Sequence, residues 1–181
     1  MFVQTQTTPN PNSLKFLPGE TVSKIGPYEF TEKNNVNNIL VRNIFSINGV
    51  VSIFLGEDFI SVNKEEHIQW EDIKHIIISL INEYYQSGKK FVIDKDPSQM
   101  ESDENLIDIE KQIIKILDTK IRPAVARDGG DIKFEEFKNG VVKVKLQGSC
   151  SGCPSSTMTL KQGVQNLLCH YIPDVKEVIA T

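Results

Sequence analysis

The chain has 181 residues, 39% of them hydrophobic and 24% charged. That is the composition of a soluble globular protein with room for one ordinary domain or two small ones. Apolar runs such as Ile76-Ile77-Ile78 fall far short of the ~20 residues a membrane helix needs. A net charge of −4, with 17 Lys against 3 Arg, speaks against nucleic-acid binding, which requires a basic face.

Charge divides the chain into an N-terminal domain (1–95), a flexible acidic linker (96–104) and a C-terminal domain (105–181). Residues 1–95 carry a net −2, residues 96–104 four acids and no base, and residues 105–181 a net +2. The middle stretch has Pro, Ser and mutually repelling acids without hydrophobic periodicity, which predicts an extended tether. The expected fold class is therefore α+β, as two small α+β domains joined by this linker.

In the first domain, Thr8-Pro9-Asn10-Pro11-Asn12 predicts a turn, because each Pro disfavours helix at the residue before it. Leu14, Phe16 and Leu17 then predict a short strand. Leu40, Ile44 and Ile47 are spaced for a helix over 37–47, with Gly49 as its stop. Residues 51–62 alternate around Gly56-Glu57-Asp58 and predict a hairpin. The clearest helix is 71–86, where Ile73, Ile76, Ile77, Leu80, Ile81 and Tyr84 form one apolar stripe. His67 and His75 have no partner at metal-ligand spacing and read as solvated side chains.

The second domain reads α-β-β-α-β. Leu106, Ile109, Ile113, Ile116, Leu117 and Ile121 predict an amphipathic helix of about four turns. Asp128-Gly129-Gly130-Asp131 reads as a turn whose paired glycines explain it without a metal. Asn139-Gly140 between 132–137 and 141–147 is a strong hairpin signal. In the second strand Val142, Val144 and Leu146 face one way and Lys143, Lys145 and Gln147 the other. Leu160, Val164, Leu167, Leu168 and Tyr171 then mark a helix ending before Pro173, and 175–179 predicts a last edge strand.

Chemistry concentrates in Gly148-Ser149-Cys150-Ser151-Gly152-Cys153-Pro154, between a strand and a helix. Pro154 suits a first helical position, so the unpaired amides and positive dipole end of that helix point toward Cys150 and Cys153 and favour thiolate. The N-terminal residues read as neither an export signal nor a presequence, so the pair is expected to carry metal or redox chemistry in a reducing compartment. The position of Met1 directly before the domain points to a bacterial cytoplasm, or the mitochondrial matrix if the chain is eukaryotic.

Three readings of the pair compete. A zinc ion completed by Cys169 and His170 fails on distance: across one helix Cys169 lies roughly 22 Å away. Cys169 then reads as a small buried hydrophobe, and His170 as a dipole-complementing residue in the last turn. A monomeric dithiol oxidoreductase of thioredoxin type has the right strand, C-x-x-C-Pro, helix order. It lacks the further strands that fold needs after the helix, yet it remains the rival class. An iron–sulfur cluster shared between chains fits best. A [4Fe–4S] cluster takes four thiolates, and a two-fold dimer apposing two C-x-x-C loops supplies them.

The run Arg122-Pro123-Ala124, Asp128-Gly129-Gly130-Asp131, Leu146-Gln147-Gly148 and Cys150-Ser151-Gly152-Cys153-Pro154-Ser155-Ser156-Thr157-Met158 resembles the C-terminal domain of NifU. Thr8-Pro9-Asn10-Pro11-Asn12-Ser13-Leu14-Lys15-Phe16 and Phe54-Leu55-Gly56-Glu57-Asp58-Phe59-Ile60 resemble the N-terminal domain of Nfu-type scaffolds. The stretch 63–75 is more polar than that pattern. The resemblance implies a scaffold or carrier rather than an enzyme, with a [4Fe–4S] cluster bridging a cluster-dependent homodimer through Cys150 and Cys153 of each subunit. Cys169 matches no ligand position. The implied recipients are apo iron–sulfur proteins such as those of lipoyl synthase or aconitase type, with upstream assembly factors as further partners. The N-terminal domain is implied to be non-ligating and to tune partner recognition, while Lys145 and Lys161 would offset the cluster's negative charge.

Overall fold

The structure is a computed structural model. It describes residues 2–32, 36–94, 107–151 and 154–181, with 154–156 described in backbone only. The chain divides into two compact units, 1–97 and 98–181. The expected linker 96–104, Leu106, Gly152 and Cys153 lie outside the described residues.

The first unit is built on a five-stranded antiparallel sheet. Its strands are β1 (Gln4–Thr7), β2 (Ser13–Leu17), β3 (Tyr28–Phe30), β4 (Val50–Leu55) and β5 (Ile60–Lys64), in the order β1-β2-β5-β4-β3. Register makes one face apolar: Leu14 opposes Val62, Phe16 opposes Ile60, and Ile53 opposes Val62 across β4. These side chains pack with two helices, α1 (Ile39–Phe45) and α2 (Trp70–Gln86), into one core. Leu17 belongs to the other face of β2, because side chains alternate along a strand.

Helix α1 starts where Asn38 caps it. Its side-chain oxygen accepts from the Leu40 and Val41 amides at 2.9 and 3.1 Å, while its Nδ2 donates to the Val92 carbonyl at 2.6 Å. Along α2 the buried residues are Ile73, Ile77, Ile81, Tyr84 and Tyr85. Ile76, expected on that stripe, is exposed and Leu80 half-buried. Burial follows the i, i+4 row 73-77-81-85, joined by Tyr84 and leaving Ile76 and Leu80 at its margin.

The second unit begins with one helical run: α3 (Asp108–Ile116), a π-helical segment (Leu117–Ile121) and α4 (Arg122–Arg127). The π segment was not expected, and Pro123 accounts for it. Proline has no N–H to bond the carbonyl four residues back and its ring crowds that carbonyl, so the wider turn relieves the conflict. Strands β6 (Gly130–Lys138) and β7 (Val141–Gly148) form the expected hairpin, with Asn139 and Gly140 both at positive φ, 52° and 80°. That is the backbone a type I′ turn requires. Helix α5 (Pro154–Tyr171) leads to β8 (Glu177–Ala180), which pairs parallel to β7 at the edge of the order β6-β7-β8.

The inner face of this sheet, Ile132, Val142, Val144, Leu146 and Val178, packs with Ile113, Leu117, Val125, Val164 and Leu168. Lys143 and Lys145 are exposed as expected, but Gln147 is buried. Tyr171, placed by periodicity on the apolar side of α5, is half exposed and lies under the Lys120 ammonium, 5.3 Å from its ring centre.

Candidate functional site

The hairpin brings the turn before β6 and the loop after β7 to one place. Gly130 opposes Gly148 and Asp131 opposes Gln147 in the ladder. Just beyond, the Ser149 amide donates to the Gly129 carbonyl at 3.2 Å and its hydroxyl donates to the Asp128 carbonyl. The Ser151 amide and hydroxyl both donate to the Gly148 carbonyl, at 3.2 and 2.8 Å. On the other side the Thr157 hydroxyl of α5 donates to the Cys150 carbonyl at 3.4 Å.

Cys150 sits inside this frame with only 7% of its surface exposed, at the margin of the second unit's core. Gly130 makes the room. A Cβ there would stand 2.7 Å from the Cys150 Sγ and 2.7 Å from the Gln147 carbonyl oxygen. The start of α5, four residues after Cys150, directs its free amides and dipole toward the loop, an environment that favours negative charge.

An ion pair between a buried carboxylate and a half-buried guanidinium lies beside the loop. The Asp131 carboxylate, 1% exposed, accepts from Arg122 Nε at 2.8 Å on one oxygen and from Nη2 at 3.0 Å on the other. Arg122 also donates to Asp118 at 2.9 Å. The hydrogen bonds that Arg122 donates to Asp131 raise the guanidinium's already high proton affinity, against the opposing effect of burial. Asp128 closes α4 through its backbone, while the Asp131 carboxylate is engaged by Arg122. Spacing alone does not single out this pair, because a helix and a turn lie between its members.

The remaining candidates are spread out. Cys169 is half-buried in the last turn of α5, against the core. His170 is exposed beside it. Lys145 is exposed on β7, opposite Lys133, and Lys161 is half-buried on α5. His67 and His75 are exposed, with His67 3.4 Å from Glu65. Among the described residues no three His, Cys, Asp or Glu side chains gather as a metal-binding group, and no helix is long and apolar enough to cross a membrane.

Comparison with known proteins adds a second line. Residues 3–88 match a family model described as "Scaffold protein Nfu/NifU N terminal", and residues 113–179 one described as "NifU-like domain". The human protein named "NFU1 iron-sulfur cluster scaffold homolog, mitochondrial" is 46% identical over 98% of this chain and 71% of its own length. "NifU-like protein 4, mitochondrial" of Arabidopsis thaliana is 42% identical over 98% of this chain and 65% of its own. The chain thus spans about two thirds of the length of such relatives. A solution NMR structure of a NifU-like protein from Saccharomyces cerevisiae is 33% identical, with a TM-score of 0.48 over 53% of this chain and 87% of that one.

Proposed function

This chain belongs to the Nfu family of NifU-like proteins, and from that premise we propose that it is an iron–sulfur cluster scaffold or carrier. Two chains hold one [4Fe–4S] cluster as cargo through Cys150 and Cys153 of each and pass it to apo-proteins. The observation that carries this reading is the loop itself. It presents Cys150 between the end of β7 and the positive end of α5, with a second cysteine three residues on. Two thiolates per chain are half of what such a cluster takes, and a two-fold dimer completes the set.

Transfer is ligand exchange without net redox change. Acceptor thiols lose their protons as they bind iron, and Cys150 and Cys153 take up protons as they leave. Each step trades one iron–sulfur bond for another, and loss of the last bridging bonds releases the dimer. The role is stoichiometric delivery rather than turnover. Apo iron–sulfur proteins, including those of lipoyl synthase and aconitase type, are the recipients, and upstream assembly factors are the donors. The cysteine-free N-terminal domain recognises partners. Lys145 and Lys161 offset the negative charge of the thiolate-ligated cluster. The named relatives are mitochondrial proteins, which fits the matrix location of a eukaryotic chain, while the bacterial-cytoplasm expectation finds no support among them.

Anaerobic reconstitution of three variants with iron and sulfide tests the ligand set. Cys150→Ser and Cys153→Ser are expected to lose the cluster absorbance and Cys169→Ser to keep it. A Cys169→Ser protein that takes up no cluster would overturn the assignment. A cluster-free monomer that catalytically reduces insulin disulfides would establish the dithiol oxidoreductase instead.

A further inference from the structure

We propose that the Arg122–Asp131 ion pair is a positioning device for Cys150, holding that cysteine in place before any cargo arrives. The proposal rests on the scaffold reading for its purpose, but its geometry stands apart from it. A carboxylate as buried as Asp131 is retained only where its charge is matched with good geometry. Here the match is bidentate, with both oxygens engaged by one planar fork, the arrangement that adds direction as well as strength.

The two ends of this clamp are set by features that need explaining on other grounds. Arg122 follows the π-helical segment directly. An inserted residue turns the helix that follows by about 100°, and this phase aims Arg122 at β6 and back at Asp118. Asp131 is the immediate neighbour of Gly130, whose missing side chain makes the seat of the Cys150 sulfur. Asp128 and Gly129 offer their carbonyls to Ser149. Residues 128–131 are thus a floor on which 147–150 rest, and the ion pair fastens that floor to the helical run. A ligand held in place before its cargo arrives loses less freedom on capture.

The test is thiol labelling of the cluster-free full-length chain by iodoacetamide, resolved residue by residue by mass spectrometry. Cys169, in the same core, serves as the internal control. Asp131→Asn and Arg122→Lys are expected to raise the labelling rate of Cys150 at least about tenfold, leaving Cys169 within about twofold, because only the floor opens locally. If Asp131→Asn does not fold, Arg122→Lys, which keeps the charge but loses the fork, carries the same comparison. Cys150 and Cys169 accelerating together would reduce the pair to a general stabiliser. An unchanged Cys150 in a folded variant would show that the pair does not hold the loop. Either result overturns the proposal. Because labelling needs no cluster, a native chain that refuses iron and sulfide while its variants label as expected would sink the scaffold reading and leave the positioning role standing.

Discussion

Cys150 and Asp131 illustrate how differently two residues of one loop announce themselves. The C-x-x-C spacing is local, so the cysteine was legible as a candidate from the chain alone. The partner of Asp131 is not local: the pair closes only after Pro123 has forced a π turn and the chain has reversed into β6. Tyr85 is a second residue whose state depends on tertiary surroundings. Its hydroxyl donates to the Thr21 carbonyl at 3.0 Å, and burial, then Tyr84 and Glu20, push its pKa well above the usual phenol range. In the unfolded chain it titrates near pH ~10. Below that pH both states keep the proton and stability is unaffected. Above it the unfolded chain loses the proton first, so the stability of the first unit is expected to fall by up to about 1.4 kcal/mol per pH unit for this group. Urea unfolding of the native chain and Tyr85→Phe from pH 9 to 11 checks this, and equal slopes for the two proteins would refute it.

Elements with their own chemical punctuation were readable and those without it were not. Helix α2 has a long apolar period, and the β6–β7 turn has Asn139-Gly140. Strands β1 and β3 are short edges, the first the wholly polar Gln-Thr-Gln-Thr. They exist because β2 and β4 offer free ladder positions, a cause that no window of sequence contains. The burial of Gln147 has a similar origin, since its strand alternates as expected but the residue opposite it in the ladder is the buried Asp131. The hairpin turn also does more than reverse the chain. The Gly140 carbonyl accepts from the Lys176 and Glu177 amides at 2.8 and 3.2 Å, tying β8 to it. Gly140→Ala adds a strained positive φ and a Cβ 3.1 Å from the Asp174 carbonyl oxygen. A loss of about 1–2 kcal/mol from the second unit is expected in denaturant titration, and an unaltered midpoint would show the turn to be slack.

At the scale of the whole molecule the chain joins two units of different character. Among the described residues the first has five strands, two helices and a core mainly of aromatic and β-branched residues, and residues 1–97 contain no cysteine. The second is smaller and ends its central hairpin in the cysteine loop. The α+β class and the α-β-β-α-β order of the second unit followed from hydrophobic period and turn residues, which are local causes. The family followed from long motifs in both halves. On the proposed function a second chain follows from ligand arithmetic, since the two cysteines of one loop would leave a [4Fe–4S] cluster half coordinated. Native mass spectrometry of the anaerobically reconstituted protein measures that arithmetic directly. The expected species is two chains carrying one [4Fe–4S] cluster, reverting to the cluster-free chain when the cluster is removed. A cluster carried by a single chain, or a dimer carrying one on each chain, would contradict the bridged site.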